Sequence, residues 1–264
     1  MTLSTIDPIP AMTASLPHSK ADEADSPSRV RRVRHEIKKR ELSVVAAESI
    51  TPNMRRITLA GDSLEDFISA SFDDHIKLFF PGEGEAPAMR DYTPRAFSNA
   101  ERRLVIEFAQ HGDGPAASWS AAAQPGDTLT IGGPRGSFII PTDYDWHLLA
   151  GDETALPAIA RRLEELPAGT RAIVLLQVAP ADRRPLASQA DVMLHWVDSD
   201  AALLDAARAL TLPAGEGYAW CAGEAQTMAA MRQILVEEKG HDRHAIRAAA
   251  YWKRGTAHHH ENLG

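Results

Sequence analysis

Cysteine is nearly absent, with Cys221 the single one in 264 residues. One thiol cannot close an internal disulfide, hold a four-cysteine iron–sulfur cluster or build a cysteine-rich zinc site. Any electron chemistry in this chain must therefore use a bound organic cofactor. Long apolar runs are also missing. No stretch is long enough to span a bilayer, and no apolar segment follows a basic start at the N-terminus, so the expectation is a cytoplasmic protein without a membrane partner. Positive charge is not in excess either: 28 Lys and Arg stand against 36 Asp and Glu, a formal net charge of -8. That balance excludes a general binder of nucleic-acid backbone. There is no G-x-G-x-x-G, so a dinucleotide site has to be argued from placement rather than from a fingerprint.

What is present divides the chain in two, as its length allows. Residues 1–29 mix Pro, Ser, Asp and Ala without periodicity and read as a disordered arm. Residues 30–40 carry Arg31, Arg32, Arg34, Lys38, Lys39 and Arg40, either a solvated lead-in to the first strand or an attractor of an anionic ligand. Short β-rich runs then follow at 42–48, 54–59, 75–80, 104–108, 128–131 and 138–140, punctuated by Gly, Pro, Asp and Asn. They predict a six-stranded antiparallel barrel over 30–142. A short alanine-rich helix at 114–123 opens on Gly114-Pro115, and small residues at a helix start let a pyrophosphate approach free backbone N–H groups.

From about residue 143 the period changes. Strands at 146–150, 171–178, 191–197, 218–222 and 245–251 alternate with helices at 154–166, 201–210 and 224–239, which predicts a parallel α/β domain over 143–255 and a flexible tail at 256–264. Met228, Met231 and Leu235 read as core of the last helix and Gly240 as its stop. Open parallel sheets bind ligands beyond the C-terminal ends of their strands, where Gly151 and Gly223 fall.

The segment M-R-D-Y-T-P-R-A-F at 89–97 concentrates the chemistry. Read as an extended stretch stopped by Pro94, it puts Tyr92 opposite Thr93, with Arg90 and Arg95 close by. A tyrosine that stacks beside arginines that grip phosphate suits a ligand with a flat ring at one end and phosphate at the other, such as a flavin nucleotide.

The combination of R-D-Y-T-P at 90–94, F-x-x-H-G at 108–112, G-P-A-x-x-W at 114–119, P-G-D at 125–127, G-G-P-R-G-S at 132–137, L-A-G-D-E-T-A-L-P-A-I at 149–159 and A-G-E at 222–224 resembles the siderophore-interacting proteins. These are flavin reductases of the ferredoxin-NADP reductase superfamily. D-D-H-I-K-L-F-F-P at 73–81 and R-A-A-A-Y-W at 247–252 resemble its NADPH-dependent ferric-siderophore reductase branch. The resemblance implies FAD as cofactor and NADPH as donor, with electrons passing through the flavin to Fe(III) in an anionic, catecholate-type siderophore held by a monomer.

It also implies roles for residues. Arg90 would hold FAD phosphate, Tyr92 and Thr93 would meet the ring as the catalytic pair, and Asp91, His111, Gly112, Gly114, Ala116, Ser118 and Trp119 would complete the FAD site. Asp152, Thr154, Ala155, Tyr251 and Trp252 would join them from the second domain. Lys77, Arg135 and Arg247 would hold the chelate, and Arg183 and Arg184 would select the 2'-phosphate of NADPH. No protein metal ligand is expected. Simpler readings stand beside these: His111 as a core histidine, Asp152 as a helix cap, Tyr251 and Trp252 as a sheet edge, and His258, His259 and His260 as a metal tract or a flexible end. In place of a reductase, the same features allow a non-catalytic flavin-containing siderophore binder or a general flavin reductase.

Overall fold

The computed structural model describes residues 29–81, 87–110 and 114–256, and the backbone of 261–262. The expected arm up to residue 28, His111, Gly112 and the three tail histidines lie outside the described residues.

The N-terminal half is a curled antiparallel sheet. Its elements are β1 (Arg31–Arg34), β2 (Lys39–Thr51), β3 (Met54–Ala60), β4 (Ile76–Phe80), β5 (Ala88–Tyr92), β6 (Ala96–Ser98), β7 (Arg103–Ala109), α1 (Pro115–Ala122), β8 (Thr128–Gly132) and β9 (Gly136–Ile139). Seven strands run in the order β5-β4-β8-β2-β3-β7-β6, with β1 and β9 paired separately. Alternation sets the inner face: Leu42 and Val44 of β2, Ile57 and Leu59 of β3, and Leu78 and Phe80 of β4 are buried together in one core.

Five of the six expected strands lie in this sheet. The sixth leaves it, because Gly133 takes a positive φ and Pro134 has no N–H to continue the ladder, so the chain after β8 turns away to meet β1. Two strands not among the six, β5 and β6, form the open edges. The result is a half-barrel.

The C-terminal half comprises β10 (Trp146–Asp152), α2 (Leu156–Glu165), β11 (Arg171–Gln177), β12 (Asp191–Val197), α3 (Asp200–Ala209), β13 (Gly217–Glu224), α4 (Ala225–Gln233), β14 (Ile246–Trp252) and β15 (Glu261–Asn262). Its sheet runs β12-β11-β10-β13-β14-β15, parallel throughout except for β15. Every residue of β10 and β13 is buried, as central strands covered on both faces require. Leu156, Ile159 and Leu163 of α2 cover one face, while Leu203 of α3 with Met228 and Met231 of α4 cover the other. The expected last helix divides: α4 ends at Gln233, a π turn continues to Glu238, and Gly240 at positive φ stops the chain.

Strand order reverses between β10 and β13, the place where a doubly wound sheet opens a crevice at its C-terminal end. The strands lie so close there that a Cβ on Gly151 would stand 2.3 Å from the carbonyl oxygen of Ala222. The two halves are packed into each other. Phe72 of the half-barrel lies 5.3 Å, edge to face, from Trp220 of β13, a contact contributing about 1 kcal/mol beyond its buried area. The backbone N–H and side-chain amide of Asn53 both donate to Asp182, each at 2.8 Å.

Candidate active site

Edge strand β5 carries different chemistry on its two faces. Ala88 and Tyr92 pack on the barrel core, and the period of two puts Arg90 on their side. The Tyr92 ring is 4.5 Å from that of Phe108, and burial raises its hydroxyl pKa. Met89 and Asp91 turn outward, Met89 with 45% of its surface exposed. Asp91 accepts both its hydrogen bonds from Lys77 Nζ at 2.8 Å. The strand ends at Tyr92, leaving Thr93 just beyond it and buried. Helix α2 then clamps the chain: Arg161 donates to the carbonyl of Pro94 at 2.9 Å, and Arg95 pairs with Glu164.

A cavity of about 700 Å³ opens where β4, β5 and α1 face the C-terminal ends of β10 and β14. Its floor at α1 is Gly114, Ala116 and Ala117. Gly114 is the N-cap, so it brings no side-chain acceptor to the first turn, and a Cβ placed on it would meet nothing within 4 Å. Pro115 has no N–H, so Ala116 and Ala117, which line the cavity together with Arg90, carry the first free N–H groups of α1.

The opposite wall is built from the parallel sheet. Glu153, Thr154 and Pro157 line it after β10, as do Tyr251 and Trp252 at the end of β14. Asp152 stands behind them with both oxygens occupied. Oδ1 accepts from the N–H and hydroxyl of Thr154, and Oδ2 from the N–H of Glu224 and from Trp252 Nε1 at 2.8 Å. Burial pushes its pKa up against these four donors. Thr93 and Tyr251 face each other across the cavity, and burial raises the Tyr251 pKa well above its ordinary value.

The structure thus brings Lys77, Arg90, Asp91, Tyr92, Thr93, Gly114, Ala116, Arg135, Thr154, Tyr251 and Trp252 onto one cavity. Several other expected residues are placed elsewhere. Asp152 and Ala155 are buried behind the wall, Ser118 is exposed, and Trp119 packs against Phe80 and Phe108. Arg247 does not line the cavity; its guanidinium stacks 4.3 Å from the Phe138 ring centroid and is ion-paired to buried Asp73. Arg183 is paired with Asp198, and Arg184 with Glu107 at 2.5 Å.

Glu107, His75, Met89 and Gly132 line the cavity without having been singled out. Glu107 had a signal, as the one charge inside the apolar run L-V-I-E-F. Its side chain has no exposure, and Arg56 and Arg184 neutralise it. Among the described residues, no group of three or more His, Cys, Asp or Glu could hold a metal ion, and no helix is long and apolar enough to cross a membrane.

The donor set fits FAD. An uncapped helix start with small residues and an arginine beside it suits a diphosphate, and a tyrosine on the cavity wall, packed at a 40° tilt against Phe108, suits an aromatic ring system. A half-barrel with such a cleft, followed by a parallel sheet whose switch point faces it, is the architecture of a reductase-type flavoprotein. Residues 144–255 match the family described as siderophore-interacting protein, and residues 43–88 and 81–138 match the siderophore-interacting FAD-binding domain, so the chain belongs to the siderophore-interacting protein family.

Relatives agree across nearly the whole length. The chain is 36% identical over 255 residues to an NADPH-dependent ferric-chelate reductase of Escherichia coli, covering 86% of this chain and 98% of that one. It is 32% identical over 252 residues to the ferric vibriobactin reductase ViuB of Vibrio cholerae, covering 84% and 93%. The crystal structure of a siderophore utilization protein from T. fusca superposes with a TM-score of 0.81 at 33% identity, covering 86% and 97%.

Proposed function

We propose that this protein is a cytoplasmic, monomeric ferric-siderophore reductase that passes electrons from NADPH through FAD to Fe(III) in an anionic, catecholate-type chelate. The observation that supports it most is the cavity itself, where Arg90, Tyr92 and the start of α1 meet the C-terminal ends of β10 and β14. FAD, when bound, supplies the ability to take electrons in pairs and give them up singly, which nicotinamide and iron between them require.

The residues have separable tasks. Arg90 and the α1 N–H groups would bind the diphosphate, and Tyr92 would orient the ring system, with Thr93 beside it. Trp252, fixed by Asp152, would close the far side and keep water out. Lys77 and Arg135 would draw in the anionic chelate, which already fills the coordination sphere of its iron, so the protein need supply no metal ligand. Reduction to Fe(II) weakens the hold of hard oxygen donors and frees the metal.

Anaerobic stopped-flow tests this reading. The yellow protein mixed with NADPH should bleach, and addition of a ferric catecholate should restore the oxidised flavin spectrum while Fe(II) appears. Absence of bleaching would leave a flavin-containing binding protein instead. Mass spectrometry of the released flavin should find FAD rather than FMN.

A further inference from the structure

Beyond the cavity rim, the outer face of the half-barrel continues as a small platform. Gly132 of β8 lies opposite Lys39 of β2 on one side and Lys77 of β4 on the other. Directly paired positions share a face, so the two lysines flank the glycine, their backbones two strand spacings, about 10 Å, apart. Phe79 is two residues beyond Lys77 and leans over the glycine; a Cβ on Gly132 would stand 3.1 Å from its ring. The Lys39 ammonium is 4.9 Å from the same ring centroid. Opposite Phe79 on β5 is Met89, which is 45% exposed. Exposed Arg135 follows Gly132 at the end of β8. Among the described residues, no carboxylate pairs with Lys39 or Arg135, and Lys77 has only Asp91, whereas Arg56, Arg184 and Arg247 are all matched by buried acids. On a chain of net charge -8, this face carries three cations beside an aromatic ring and a thioether, against two acids, Asp91 and Glu41.

We propose that Lys39, Phe79 and Met89 extend the Lys77–Arg135 wall into a docking platform for one aromatic arm of the ferric chelate. The platform would select aryl chelates of the catecholate class over aliphatic hydroxamates. The proposal rests on the reductase reading above and names the residues that would select its substrate class. Three catecholate dianions around Fe(III) leave a trianion bounded by flat rings. Its oxygens meet the cations, and its ring meets Phe79 and the Met89 sulfur. A tris-hydroxamate complex is neutral and has no ring, so it lacks both handles.

Equilibrium binding to the flavin-loaded full-length protein provides the test, using redox-inert gallium(III) tris-catecholate and gallium(III) tris-hydroxamate in titration calorimetry. Lys39→Met keeps the aliphatic stem and removes the charge. Phe79→Leu keeps an apolar cover over Gly132 and removes the ring, while Phe79→Tyr keeps the ring. Lys39→Met and Phe79→Leu should each weaken the catecholate about fivefold, and Phe79→Tyr should retain affinity. Hydroxamate binding, flavin content and melting temperature should stay as in wild type. Equal weakening of both chelates, or no change in either, overturns the platform while leaving the reductase reading intact. A wild-type protein that reduces no ferric chelate would defeat that reading first, and the platform with it.

Discussion

Arg247 and Asp73 are joined as an ion pair across the junction of the two halves, with the guanidinium over Phe138 and the carboxylate also accepting from Trp220 Nε1 at 2.9 Å. A cation matched in this way by a buried acid offers little field to a ligand in solvent. Its removal strands the acid. Arg247→Ala should therefore lower stability by about 3 kcal/mol, read as a fall in melting temperature. Lys77→Ala breaks only the half-exposed pair with Asp91. It should leave melting nearly unchanged and raise KM for a ferric tris-catecholate about fivefold, with a shallower salt dependence than wild type. An Arg247→Ala protein that melts like wild type but has a raised KM would return that residue to the substrate face.

Arg183 and Arg184 are adjacent in sequence and differ in setting. The Arg183 pair is solvent-facing, with Asp198 72% exposed in its side chain, so an incoming phosphate can exchange with it. Arg184 reaches the fully buried Glu107. Arg183→Ala should lower the ratio of kcat/KM for NADPH to that for NADH about fivefold. Arg184→Ala should leave the ratio alone and cost about 1 kcal/mol of stability, since Arg56 stays paired with Glu107. Parallel kinetics with both nucleotides, beside melting curves, separate the two; an unchanged ratio in Arg183→Ala removes it from 2'-phosphate recognition.

His147 predicts the shape of the acid limb. Burial, reinforced by the Arg162 cation, lowers its pKa from 6.5 to about 4. In that interval the unfolded chain binds the proton and the folded chain does not. Its contribution is therefore complete above about pH 6.5 and is lost as pH falls toward about 4, a change of roughly 3 kcal/mol. His147→Leu should flatten this limb in denaturant titrations at pH 7 and pH 5. The same difference between the two pH values in variant and wild type would show that other groups carry it.

Periodicity made the fold readable wherever one face or both faces of an element are buried. β11 stands out as an unbroken apolar run, and β12 falls on its expected span of 191–197. The edge strands were legible only in part: 89–97 reads as extended, but its division around Pro94 into β5 and β6, each with a single neighbour, depends on pairing that the sequence does not show. In the site, residues whose backbone or position matters, Gly114 and Thr154, were visible in motifs. The setting of Arg247 and Arg184 was not legible, since a sequence shows a charge without showing the buried acid that matches it. Asp73 and Glu107 are supplied by strands and loops far away in the chain.

The grip of α2 on the segment after β5 bears on how the protein is made. Arg161 also holds Ser69, through its hydroxyl at 2.8 Å and its carbonyl at 2.9 Å, so one guanidinium staples two loops of the half-barrel from the other half. Tyr92 and Thr93 leave the ribosome well before the helix that sets the Pro94 carbonyl, and longer still before Tyr251. Flavin capture is thus expected late in biogenesis, after the last parallel strand has been laid down, and the yellow colour of a preparation reports on chains that have finished folding.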